Sequence, residues 1–244
     1  VMGYVKNIKI LRQYLKNNSF ELIHAHFSFS AFVAALAGAK PLVVSFMGWN
    51  VKKLHIRLLI ILFDFLYFDA GIVKSEKMKK NLGINSLYVI PNGVNLERFS
   101  SINKSGSQDK LGWDKSKKHI LFAADPNRPI KRFSLAKEAY EILIKQIQNV
   151  ELHVLENIPH DQVIYYYNAC DVVLLTSKAE GSPNVIKEAL ACNCSIVSTD
   201  VGDVKEITAD IDGCYICMND PADIAYKLHL AISRNSRTAG RMSI

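Results

Sequence analysis

Hydrophobic positions along the chain fall into short β-type runs separated by longer helical ones. FELIHAHF (20–27), PLVVSF (41–46), DAGIVKS (69–75) and SLYVI (86–90) read as strands. Between them SFSAFVAALAGA (28–39), a stretch over 51–68 and SEKMKKNL (75–82) read as helices. A leading segment over 4–17 is also helical, so the chain enters mid-pattern. At 91–117 the rhythm stops: PNGVNLERF is turn-rich, and SSINKSGSQDKLGWDKSKK is polar with Gly and Ser. It resumes with strands at 119–124, 150–155, 171–177, 194–199 and 213–218, and helices at 131–147, 160–169, 183–192 and 220–233. The alternation predicts two α/β domains in tandem, 1–100 and 101–244, each with a parallel sheet. Ligands of such sheets lie beyond the carboxyl ends of the strands.

Composition changes this picture little, since 49% apolar and 22% charged residues are ordinary for a globular chain. Charge changes it more. Residues 1–100 carry 13 Lys/Arg against 5 Asp/Glu, a formal +8, whereas residues 101–244 carry 17 against 18, a formal −1. A basic first half fits either a lysine-rich solvated surface or a meeting with something anionic, such as lipid or a phosphorylated substrate. No nucleic-acid module or aromatic-basic interleaving accompanies it. The five cysteines, all in the second half and in apolar settings, read as reduced core thiols of a cytoplasmic protein. Cys214 and Cys217 match C-x-x-C, but no second ligand pair follows them. The longest apolar stretch, 58–68, is interrupted by Asp64 and too short to span a bilayer.

The candidate chemistry sits in EGSPNVIKEAL, residues 180–190. Glu180 follows the strand at 171–177 and so lies at its carboxyl end. Ser182 has an N-cap side chain and Pro183 suits the first helical position, which leaves the N–H groups of Asn184 and Val185 without intrahelical partners. Such an end takes phosphate, and Gly181 lets backbone approach a ligand. Glu188, two turns on, can accept hydrogen bonds from a vicinal diol. Phosphate flanked by two polyol-binding acids describes a nucleotide sugar. Spacing alone also allows two ordinary surface acids.

In its motifs the chain resembles the retaining nucleotide-sugar glycosyltransferases of family 4. These are DVVLLTS followed by EGSPNVIKEALACNCSIVSTDVGDVKEI, with the two acids eight apart, and ELIHAHFSFSAF, PLVVSFMGWNV and SLYVIPNGVNLERF in the first half. The resemblance implies the GT-B fold: two Rossmann-like α/β domains with parallel sheets facing a cleft, acceptor side first and donor side second. It makes Glu180 and Lys131 the catalytic residues, Glu180 on the donor sugar and Lys131 on the pyrophosphate. Glu188 would hold the ribose, and backbone around Gly181, Ser182, Pro183, Asn184 and Val185 the distal phosphate and sugar. The family's Arg six residues before that Lys is replaced by Asp125, with Arg128 or Arg132 as its substitute. Where many relatives have His before the Gly of SFMGWN, this chain has Met47; His24 and His26 lie one strand earlier and read as structural.

The implied reaction moves a sugar from a nucleoside diphosphate to an acceptor hydroxyl with retention, and needs no metal or other cofactor. The chain has no D-x-D spacing for Mg²⁺ between phosphates. The implied acceptor is a glycan or lipid-linked glycan, reached in the cytoplasm or at the inner membrane face. Lys52, Lys53 and Arg57 beside the apolar 58–68 helix would form a membrane-facing surface, against the alternative of a helix packed into the sheet. The resemblance implies an opening strand, a Gly-rich loop and a further unit that have no counterpart here, and a last returning helix that begins near RTAGRMSI and is cut short, so a fragment or truncated product is expected. A sugar-nucleotide epimerase of the same fold, or a binding module without turnover, would share the diphosphate site.

Overall fold

The computed structural model describes residues 2–48 and 53–244. The chain divides into two compact units, Val1–Pro91 and Asn92–Ile244. The division precedes residue 100 because the turn-rich NGVNLERF segment packs into the second unit. There Phe99 is buried, and the Arg241 guanidinium donates to the carbonyls of Phe99 (2.6 Å) and Leu96 (2.8 Å).

The first unit holds four parallel strands in the order β1-β2-β3-β4: Ile23–His26, Leu42–Ser45, Ala70–Val73 and Tyr88–Val89. Helix α1 (Met2–Asn17) packs on α2 (Ser28–Ala37), whose buried Ala31, Ala34 and Ala35 allow close approach to the sheet. Gly71 in β3 is a point of contact, since a Cβ there would lie 2.3 Å from Leu87 Cδ2. The helix expected from 51 runs as α3 over Leu54–Leu66; Val51 and Lys52 lie outside the described residues. Only Ile56 and Ile60 of α3 are buried, while Leu58, Leu62 and Phe65 are exposed. One face of α3 thus packs into the core of the first unit, with Phe63 against it, and the other face is exposed. The short α4 (Glu76–Leu82) starts at Ser75, whose hydroxyl accepts from Met78 N, and stops at Gly83, in the left-handed region that ends helices. No described helix is long and apolar enough to cross a membrane.

The second unit has five parallel strands: β5 (Lys118–Phe122), β6 (Val150–Val154), β7 (Val172–Leu175), β8 (Ser195–Thr199) and β9 (Cys214–Cys217). Their order is β6-β5-β7-β8-β9. β7 and β8 are buried at every position, which explains their near-continuous apolar runs: a parallel sheet is covered on both faces. Alternation sorts each strand between two layers. Leu121, Val173, Leu175 and Ile196 face α7 (Val163–Ala169) and α8 (Asn184–Ala191). Ile120, Phe122, Val172, Leu174 and Val197 face α6 (Phe133–Leu143) and α10 (Pro221–Ser233). The same period places Cys214 and Cys217 in different layers, so this C-x-x-C cannot close on one ion or form a disulfide. Cys170 and Cys194 meet at 3.4 Å as thiols.

Helix α5 (Lys104–Leu111) occupies the polar stretch read from sequence as a break. Asn103 Oδ1 accepts from Gly106 N (2.7 Å), Gly112 closes the helix in the left-handed region, and Gln108 Nε2 donates to the Ala169 carbonyl (3.2 Å). Caps and buried amides hold it where an apolar stripe would be expected. A short α9 (Val204–Ile207) follows β8.

Candidate functional site

The strand order reverses between β5 and β7, because β5 is flanked by β6 on one side and β7 on the other. At such a switch point the loops after the two strands part and leave a crevice at the carboxyl ends. The loop after β5 carries Lys131 and the loop after β7 carries Glu180. Lys131 Nζ donates to Glu180 Oε1 at 2.6 Å, with side chains only 12% and 17% exposed. The structure brings these two predicted residues together from 49 positions apart.

The two loops are joined by backbone as well. Pro129–Lys131 forms a 3-10 turn, Lys178 N donates to the Ile130 carbonyl (2.9 Å), and Thr176 Oγ1 donates to the carbonyls of Lys131 (2.8 Å) and Arg132 (3.0 Å). Arg132 stands in the left-handed region, φ 51°, which turns its side chain back onto β7. Its Nε donates to the Thr176 carbonyl (2.7 Å), and its Nη2 donates to Ser177 O (3.1 Å) and Asn219 Oδ1 (2.7 Å). Burial pulls its pKa down, yet it remains a cation. Arg132 is thus a clasp between loops. Arg128 is exposed, and Asp125 closes a turn by accepting from Asn127 N (2.8 Å).

Ser182 does not cap the following helix. α8 starts at Asn184 with Pro183 in the cap position, and no side chain caps it. The Ser182 hydroxyl is drawn beneath the loop instead. It donates to Asp203 Oδ2 (2.7 Å) and accepts from Lys187 Nζ (2.5 Å) and Asn92 N (3.3 Å). Lys187 Nζ also reaches the Asn92 carbonyl (2.6 Å) and Asp203 Oδ2 (3.1 Å), and both charged side chains are 6% exposed. A buried ion pair with a shared hydroxyl therefore fixes residues 181–183 from below. Helix geometry still leaves the Asn184 and Val185 amides without intrahelical acceptors.

Glycine is required opposite this loop. Gly202 has φ +58°, and a Cβ there would lie 2.6 Å from the Gly181 carbonyl oxygen. Gly202→Ala is expected to lower stability by about 2–3 kcal/mol through strained backbone and displaced loop, read as a shift in the urea midpoint. An unchanged midpoint would mean the loop gives way freely.

Glu188 lies in the second turn of α8 and is nearly buried. Its Oε2 accepts from Tyr167 OH (2.8 Å), and its Oε1 is 3.2 Å from His160 Nε2. Burial and then Glu188 itself push the Tyr167 pKa up, so the phenol stays a donor. Each carboxylate oxygen keeps a further lone pair. Tyr167, His160 and Lys187 are the partners that sequence reasoning did not single out. Lys187 offered one signal, a cation inside the apolar run VIKEAL.

Two family models match the chain, Glycosyltransferase Family 4 over residues 3–98 and Glycosyl transferases group 1 over residues 119–234. The chain belongs to the group 1 glycosyltransferases. Among curated relatives it is 28% identical over 215 residues to the glycosyltransferase TuaC of Bacillus subtilis, whose name assigns it to teichuronic acid biosynthesis. That match covers 77% of this chain and 55% of TuaC, so the chain spans about half of that relative's length. The fold is that of GT-B glycosyltransferase structures. Sucrose-phosphate synthase from Thermosynechococcus elongatus superposes with a TM-score of 0.82 at 16% identity, over 98% of this chain and 72% of that one. Anabaena HepE in complex with UDP-glucose gives 0.74 at 16% identity, over 98% and 75%.

Proposed function

We propose that the second unit binds a nucleoside diphosphate sugar. In this reading the protein transfers the sugar to an acceptor hydroxyl with retention of configuration, in polysaccharide or glycan biosynthesis. One observation carries it: an ammonium and a carboxylate, Lys131 and Glu180, meet at the β5/β7 switch point, Glu180 in the loop that leads into the N-terminus of α8. On donor binding the diphosphate takes the place of Glu180 on Lys131, which neutralises the charge that develops on the leaving group. Glu180, released, accepts from the sugar hydroxyls. The Asn184 and Val185 amides and the Gly181–Pro183 backbone receive phosphate and sugar oxygens, and Glu188 takes the ribose diol with its remaining lone pairs. Arg128, the exposed guanidinium of the loop after β5, takes the outer phosphate, while Arg132 keeps the loop in register. These cations and amides do the work a divalent metal does elsewhere, so no metal takes part. The UDP-glucose bound to HepE supports a UDP-sugar donor.

The name of TuaC supports a glycan acceptor. Exposed Leu58, Leu62 and Phe65 on α3, near Lys53 and Arg57, suit peripheral contact of the first unit with an anionic, cytoplasmic-side membrane that presents a lipid-linked acceptor. A binding module without turnover has one observation in its favour: Asp125 and the clasped Arg132 leave the phosphate with fewer cations than the family pattern provides. The decisive experiment supplies UDP-, GDP- and ADP-sugars with a glycolipid extract and reads the product by NMR. Acceptor-dependent consumption of one donor with its anomeric configuration kept is expected. An inverted product would refute retention, and binding without consumption would favour the module.

A further inference from the structure

Away from the donor loops, on one face of the β5–β6 pair, three metal-ligating side chains converge. His119 is the second residue of β5, and Glu151 and His153 point to the same face of edge strand β6; His119 and Glu151 are register partners. We propose that His119, Glu151 and His153 bind one divalent transition-metal ion, Zn²⁺ by its chemistry, as a clamp between β5 and the edge strand.

The geometry fits an ion of that size. His119 Nδ1 and His153 Nε2 are 2.9 Å apart, and Glu151 Oε2 lies 3.8 Å from the first and 3.7 Å from the second. A point equidistant from three atoms so spaced is about 2.0 Å from each, which is the Zn–N and Zn–O bond length. The ligands are also oriented as metal ligands are. His119 Nε2 donates to the Asp114 carbonyl (2.9 Å), which fixes the tautomer whose lone pair is on Nδ1. Trp113 stacks on the His153 ring at 3.6 Å and 11°, holding its plane. His153 Nε2–H donates to His119 Nδ1 without metal; on binding, that proton moves to His153 Nδ1 and both nitrogens face the ion. His119 is wholly buried, while Glu151 and His153 are 35% and 20% exposed, which leaves a path for the ion and a fourth position for water. Lys117 occupies Glu151 Oε1, so Oε2 is the oxygen turned to the rings. Two imidazoles and a carboxylate suit Zn²⁺ better than Mg²⁺ or Ca²⁺, which take oxygen ligands.

The test is titration of the chelator-treated chain with Zn²⁺ by calorimetry and with Co²⁺ by fluorescence. Trp113 reports directly, since its ring stacks on that of His153. Expected are one ion per chain, quenching by Co²⁺ that Trp113→Phe abolishes, and a raised melting temperature with Zn²⁺. Glu151→Gln and His153→Gln should each weaken binding tenfold or more, and Lys117→Met should tighten it by removing a like charge. Absence of saturable binding, or binding that Glu151→Gln and Lys117→Met leave unchanged, would overturn the proposal and put any bound ion at the thiols or surface histidines.

Discussion

Lys131→Met is expected to slow sugar transfer by about 10²–10³-fold, the loss seen when one preorganised charge-stabilising group is removed from a water-poor site. The side chain is 12% exposed and has Glu180 for its partner. The turn that carries it is held by its own backbone, through Thr176 Oγ1 and Lys178 N, so it survives the substitution. The effect should therefore divide between a lower kcat and weaker donor binding, with little change in melting temperature. A structural salt bridge would behave otherwise, since removing one partner of a pair this little exposed would fall on stability and leave turnover nearly intact. Steady-state kinetics beside thermal unfolding tells the two apart; a rate within threefold of the wild type would remove Lys131 from the mechanism.

Lys187→Met should produce the largest loss of stability, about 3–5 kcal/mol, because it strands a buried carboxylate. Asp203 is 6% exposed, its Oδ1 has no hydrogen-bond partner, and its Oδ2 would keep only the Ser182 hydroxyl. Removing both charges, Lys187→Met with Asp203→Leu, should recover much of that loss, since an apolar pair replaces an ion pair at little cost. Donor affinity should fall in both variants, because Ser182 then loses the contacts that hold the 181–183 backbone. Urea unfolding of the two single variants and the double measures the coupling. Additive losses would mean that the pair does not act as a unit.

Much of this was legible in the chain. Runs such as VVLL and SIVST announce buried parallel strands because both faces of the sheet are covered, and their spacing gives the two α/β units. Glu180 was legible as a loop residue after its strand, whereas Lys131 stood at the start of the expected 131–147 helix and was singled out by the family resemblance. What could not be read is what depends on contacts between distant segments. Ser182 looks like a cap by local chemistry, but Lys187 and Asp203 compete for its hydroxyl and win with charge. Arg132 looks like a phosphate ligand by its neighbours, but a left-handed backbone turns it onto the end of β7. Helix α5 lacks the apolar stripe that periodicity detects, and Asn103 and Gly112 supply its ends. Nor could the contacts of Arg241 be read, which reaches back from near the far end of the chain to Leu96 and Phe99 and holds the segment after Pro91 on the second unit.

The central claim is that the β5/β7 switch point is a nucleoside diphosphate site. It is tested most directly by calorimetric titration of the chain with UDP, GDP and ADP, beside Lys131→Met and Glu188→Gln. The glutamine keeps an acceptor for Tyr167 OH, so the fold is spared. Binding of one nucleotide, weakened at least tenfold by each substitution, is the result the account predicts. Binding that neither substitution alters, or no binding of any nucleotide by the folded chain, would contradict it.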